Sequence, residues 1–245
     1  MSASGAFGTA AAESLGVRAG RSIRHPLTRT LLVLTFTTGL VDAVSYLGLG
    51  HVFTANMTGN VALVGFAAAG APGFSVAASL CALGAFLAGA VVGGRLVHRI
   101  RPQRSLLLLV MVTEAGCTSA ATIVSGTVAA IGTGWPRYTV IALLAVGIGI
   151  RNAAVRHIGV PDMSTTVLTT TLTRLASGSP LAGGGNPHPR LGLTSVVSLF
   201  GGALVGALLV LHAGTTWSLG IAAGIVVAAA VFFYREAPLE LGSAG

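Results

Sequence analysis

The chain has no lysine, and only 8% of its 245 residues are charged. A soluble domain carries roughly 25% charged residues, so too few charges are present to cover a water-facing surface. Acids number six, and the only cysteines are Cys81 and Cys117, both inside apolar runs. One buried pair of thiols excludes an extracellular disulfide framework; these read as small packing residues. The His-Glu-x-x-His and Cys/His metal spacings are missing, and so are a Gly-x-Ser-Gly nucleophile motif and a paired-aspartate phosphotransferase motif. The glycine run at 183–185 lacks the lysine and following Ser/Thr of a phosphate-binding loop. These absences argue against an enzyme, and no cofactor or metal is expected. The net charge of +8 is not a nucleic-acid footprint, because the arginines sit just outside apolar runs, as the positive-inside rule expects.

What is present is apolar sequence: 53% hydrophobic residues and a mean hydropathy of +0.85. Long apolar runs occur at 31–50, 74–96, 105–131, 138–158, 191–212 and 215–234, each near the ~20 residues that cross a bilayer. The segments 56–70 and 162–176 are too short or too polar for full spans. Arg95, Arg99, Arg101 and Arg104 form the densest internal basic loop. Six spans with both termini inside keep that loop cytoplasmic; a full crossing by 56–70 would move it outside. The two short segments therefore read as re-entrant or broken. Residues 1–28, small and polar with arginines approaching the first run, read as a disordered cytoplasmic tail, and no cleaved leader is evident. Residues 29–236 form one membrane domain, with a flexible cytoplasmic loop at 177–190.

The fold class expected is an all-α membrane protein of about six transmembrane helices plus two re-entrant or broken segments. Each half (31–131 and 138–234) reads as span, broken segment, span, span, which makes a 3+3 inverted repeat. Small residues recur every fourth position in Ala77, Cys81, Ala85, Gly89 and Gly93, and again in Thr194, Ser198, Gly202 and Gly206. Such faces let helices approach closely, within the chain or between copies in a homo-oligomer.

Two related motifs interrupt the apolar sequence. Gly39-Leu40-Val41-Asp42-Ala43 runs on to Asn56-Met57-Thr58-Gly59-Asn60, and Gly149-Ile150-Arg151-Asn152-Ala153 runs on to Thr165-Thr166-Val167-Leu168-Thr169-Thr170. A duplicated polar break points to a midplane site between repeats. Asp42 lies about 12 residues, roughly 16 Å, into the first run. A carboxylate there must be paired, protonated or wet, because it costs about 2.5–3.5 kcal/mol by insertion scales. Arg151 is a candidate partner for Asp42, and Glu114 of the third run is a second candidate carboxylate that could pair with Arg151 instead. Gly59 is the residue expected to allow the first sharp break.

The first motif, with Val52-Phe53-Thr54-Ala55 leading into it, closely resembles the signature of the YoaK-like family, domain of unknown function family 1275. The second motif is similar to that family too, although Arg151 stands where glutamine is usual and Thr170 where glycine is. The resemblance covers about residues 30–235. It implies a small bacterial integral membrane protein and carries no assigned activity.

The functional expectation is a transporter or channel for a small solute or ion. Its site would use Asp42, Asn56, Thr58, Asn60, Arg151, Asn152, Thr166 and Thr169. The alternative is a non-transporting membrane scaffold or accessory subunit, in which the motifs only pack. The partners are the lipid bilayer and an unidentified solute or ion, with no nucleic acid. The expected location is the bacterial plasma membrane, with many passes.

Overall fold

The computed structural model describes residues 25–128, 134–158, 168–183 and 189–236. In chain order its helices are α1 (Pro26–Gly48), α2 (Met57–Ala68), α3 (Val76–Arg99), α4 (Gln103–Thr127), α5 (Gly134–Ile158), α6 (Leu168–Ser177), α7 (Pro189–Ala213) and α8 (Thr215–Glu236). A short 3-10 turn lies at Pro180–Ala182. Among the described residues there is no strand. Six helices, all but α2 and α6, are long and apolar enough to cross a membrane, reaching about 33–38 Å at 1.5 Å per residue. This is an all-α, multi-pass membrane protein.

The first span starts earlier than its apolar run suggests. Pro26 occupies the first turn, where a missing N–H costs nothing, and the His25 ring caps it by accepting from the Leu27 amide at 3.2 Å. Leu27 and Thr28 are buried, so residues 25–28 belong to the membrane domain and not to a tail; residues 1–24 of the expected tail lie outside the described residues. The longer helix also moves Asp42, which sits about 24 Å from the start of α1 and about 9 Å from its end. It lies off the centre of the span, nearer the C-terminal end of α1.

The chain then dips back. Gly50 and His51 both take positive φ, 84° and 58°, so the reversal expected at Gly59 falls at Gly50–His51 instead. Residues 51–56 run without helix alongside α1, and α2 returns. At its far end, Phe66 meets Phe74 with ring centroids 5.8 Å apart, and His51 Nδ1 lies 3.0 Å from the Gly73 carbonyl oxygen. Both connections of this hairpin are therefore at the same end of the bundle. At 12 residues, about 18 Å, α2 does not cross, which agrees with a re-entrant segment. Of the second short segment, 159–167 lies outside the described residues, and the rest forms the ten-residue α6. Likewise 184–188 of the expected flexible loop lies outside them.

Four helices, α1, α4, α5 and α8, supply most of the buried core. Leu31, Leu34, Met111, Val155, Val226 and Phe233 pack together toward one end, and Leu40, Val44, Ile141, Leu144 and Leu219 toward the other. Ser125 of α4 and Thr216 of α8 share a 2.7 Å hydrogen bond where those two helices meet. By contrast α3 and α7 present Leu87, Val91, Phe200 and Leu211 outward, as lipid-facing surfaces do.

Close glycine contacts join α1 to α7 and α3 to α5. A Cβ on Gly202 would run into the Phe36 carbonyl oxygen, and one on Gly206 would sit 2.6 Å from that of Leu40. On the other side, a Cβ on Gly89 would strike the Val146 carbonyl oxygen, and one on Gly93 would sit 2.6 Å from that of Ile150. Gly39 and Gly149 answer from the opposite faces, against Leu199 and Phe86. In both pairs the contacts advance in the same chain direction, so α1 runs parallel to α7, and α3 parallel to α5. The expected small-residue faces are thus used inside the chain.

This parallel order gathers charge at one end. Arg99 and Arg104 border the α3–α4 connection, with Arg156 at the same end of α5. Arg104 donates to the Tyr234 carbonyl oxygen at 2.7 Å and lies over that ring, tying α4 to the last turn of α8. Trp135 and Trp217 stand exposed at the opposite end, where an interfacial aromatic belt would be.

Candidate functional site

The polar residues of the first motif build the tip of the hairpin. Asp42 Oδ1 accepts from the Thr54 amide at 3.0 Å and the Ala55 amide at 2.8 Å. Extended backbone at this depth has unsatisfied donors, and the carboxylate meets two of them with charge-assisted bonds. Asn60 closes the other side. Its Oδ1 accepts from the Phe53 amide at 2.9 Å, and its Nδ2 donates to the Phe53 carbonyl at 2.6 Å. One buried side-chain amide therefore imitates a strand partner for Phe53. Asn56 caps α2, accepting from the Gly59 amide at 3.3 Å. Gly59 lies in the first turn of α2, where a Cβ would come within 2.9 Å of the Phe53 ring; its smallness makes room for Phe53. Thr58 is exposed on α2. Thr54 is fully buried, and its hydroxyl has no partner among the described residues.

Arg151 is wholly buried, at 0% exposure, and Glu114 is 4% exposed. They form an ion pair 2.5 Å apart through Nη1 and Oε1. Of the two carboxylates considered for Arg151, the structure selects Glu114; Asp42 forms no ion pair with it and turns its Oδ1 to the hairpin amides. Arg151 also reaches across to α1, with Nη2 donating to the Thr38 hydroxyl at 2.6 Å and Nη1 to the Leu34 carbonyl at 3.4 Å. Thr38 precedes Asp42 by four residues and therefore shares its helix face. Three helices, α1, α4 and α5, meet at this guanidinium, one turn from the hairpin staple. Thr38 and Leu34 were not among the residues expected here. The only signal for Thr38 was its hydroxyl one turn before an intramembrane acid.

The second motif is only partly in view. Asn152 is half-buried on α5, beside Arg151. Thr166 lies outside the described residues. Thr169 is exposed on α6, where it lines an open depression with Thr170, Thr173, Arg174 and Ser177, away from the Arg151 cluster. Among the described residues, no three His, Cys, Asp or Glu side chains gather as metal ligands would.

A helical bundle of six spans, a re-entrant hairpin and a buried ionic cluster define a polytopic integral membrane protein with polar groups committed inside its core. The chain matches the family described as "Protein of unknown function (DUF1275)" over residues 30–232 and belongs to it, as the YoaK-like motifs imply. It is 36% identical over 146 residues to the UPF0700 transmembrane protein YoaK of Bacillus subtilis (strain 168), an alignment covering 59% of this chain and 64% of that relative. The chain is thus matched over less than two thirds of that relative's length. No solved structure matches it.

Proposed function

We propose that the protein is a transporter for a small solute or ion, not an enzyme, with its site where α1, α4 and α5 converge. The observation that carries this reading is the Arg151–Glu114 pair with Asp42 one turn away. Intramembrane charges are expensive and by default mark a solute or ion path. The reading is supported by how the helices pair. Exchanging α1, α3 and α4 for α5, α7 and α8 maps α1–α7 onto α5–α3, α1–α8 onto α5–α4, and α4–α8 onto itself. Gly39 and Gly149, and Gly202 and Gly89, take equivalent places. An inverted 3+3 repeat accounts for that equivalence, and such repeats rock about a central site in known transporter folds. The arginine-rich end is then cytoplasmic, in the plasma membrane, with both termini on that side.

Two experiments test this. In a chain whose Cys81 and Cys117 are replaced, a single cysteine at Arg101 should react with an impermeant thiol reagent only after the cells are opened. One at Ala71 should react in intact cells. The reverse pattern would invert the topology. Asp42→Asn keeps an acceptor for the hairpin amides, so the protein should remain folded while solute flux falls. Asp42→Ala removes that acceptor and should cost about 1.5–3 kcal/mol, as loss of hydrogen bonds to a charged group does. Unchanged flux in Asp42→Asn would remove Asp42 from the site.

The scaffold reading is favoured by one observation. Asn60 spends both ends of its amide on Phe53, and Asn56 spends its oxygen on capping α2, so both act as staples. An intact fold that moves no solute or ion across proteoliposomes would select it.

A further inference from the structure

The Arg151 guanidinium has five N–H donors. Nη1 serves Glu114 and the Leu34 carbonyl, and Nη2 serves Thr38. The buried Nε has no partner among the described residues, and neither does Oε2 of Glu114. Glu114 therefore holds the guanidinium through one oxygen and one terminal nitrogen. The edge formed by Nε and Nη2 can clasp a planar oxyanion with two parallel bonds, and on that edge only the Thr38 hydroxyl is engaged. The other nearby carboxylate, Asp42, already has its Oδ1 on the Thr54 and Ala55 amides.

Resting on the transport reading above, we propose that the Nε–Nη2 edge of Arg151 binds a small planar monoanion of the carboxylate class, and that Glu114, held on Nη1, is a built-in anion that leaves the guanidinium as the solute's charge takes over its neutralisation. The chemistry limits the ligand. A buried guanidinium needs a negative partner at all times, so exchange of one carboxylate for another is the change this site tolerates. Among the described residues Thr38 is the hydroxyl bonded to the guanidinium, and the apolar Leu31, Leu34, Met111 and Ala115 belong to the core at this level. A dianion would bring one more negative charge than the single guanidinium offsets. Opening is feasible because α1 and α5 pack mainly on other helices and meet each other little; the Arg151 bonds to Leu34 and Thr38 join them.

The test is thermal unfolding of the purified protein in nanodiscs, with sodium formate titrated against sodium chloride at equal ionic strength. Formate is expected to stabilise the wild type saturably beyond chloride. In Glu114→Gln, the internal competitor is gone and the half-saturating formate concentration should fall about tenfold or more. If that variant does not fold unaided, recovery of monodisperse protein on adding formate is the same readout, and no recovery overturns the proposal. The Glu114→Gln/Arg151→Gln double variant should show no formate effect; an undiminished effect there would put the anion elsewhere and overturn the proposal. So would no saturable effect in either the wild type or Glu114→Gln. Formate flux into proteoliposomes separates the two claims. Saturable binding without flux leaves the Arg151 site and removes the transport reading for this class. Flux that survives in the double variant leaves transport and removes the site.

Discussion

Arg151→Gln is expected to destabilise the protein by about 3–5 kcal/mol, because it strands the Glu114 carboxylate in the core. Glu114→Gln should cost a similar amount by stranding the cation. The double change removes both charges and keeps two amides of similar size, so it should recover most of the loss. Replacing a buried ion pair by neutral groups is often close to neutral in stability. Unfolding midpoints of the four proteins in one lipid environment give the coupling directly. Additive losses would mean that the pair is not a unit. The effect of Arg151 should slightly exceed that of Glu114, since Arg151 also holds Leu34 and Thr38 of α1.

Gly93→Ala is expected to disrupt the α3–α5 pair, while Gly94→Ala, one residue along the same helix, should be silent or mildly stabilising. The added methyl at Gly93 would meet backbone, with the Ile150 carbonyl oxygen 2.6 Å away, whereas at Gly94 it meets nothing within 4 Å. Backbone cannot rotate out of the way as a side chain can, so α3 would have to move as a body. Overpacking of this kind costs typically 1–3 kcal/mol, occasionally more, set against a gain of up to ~1 kcal/mol from replacing a helical glycine. Gly202→Ala, which drives a methyl onto the Phe36 carbonyl, should do the same to α1–α7. Detergent-resistant folding of each variant reads the effect. Equal behaviour of Gly93→Ala and Gly94→Ala would refute the close packing.

The spans, the hairpin and the glycine faces were legible because each follows from a local rule. Length and apolar content give a crossing helix, and spacing of four gives a packing face. The partner of Arg151 was not legible. Asp42 and Glu114 are both acids within apolar runs, and nothing in the sequence says that the hairpin brings the Thr54 and Ala55 amides to Asp42. In the fold Asp42 turns to those amides, and Glu114 is the carboxylate that meets Arg151. Gly59 misled for a related reason. A glycine in a polar break suggests a reversal, but here it yields space to Phe53, while Gly50 and His51 turn the chain. The apolar run, which starts at 31, sets Asp42 too near the centre of the span, because a proline and a histidine cap begin the helix five residues earlier.

Parallel pairing of α1 with α7 also sets an order on biosynthesis. The groove on α1 around Gly39 is filled by Leu199 and Ala203, which are made long after it. At ~5–20 residues per second, α1 waits on the order of ten seconds or more in the bilayer without its closest neighbour. Glu114 of α4 likewise enters before Arg151 of α5 exists to meet it. The first half of the chain therefore cannot finish packing by itself. Lipid or insertion machinery must cover its glycine groove until the second half arrives, and a ribosome stalled after α4 would leave both an open groove and a carboxylate without its cation.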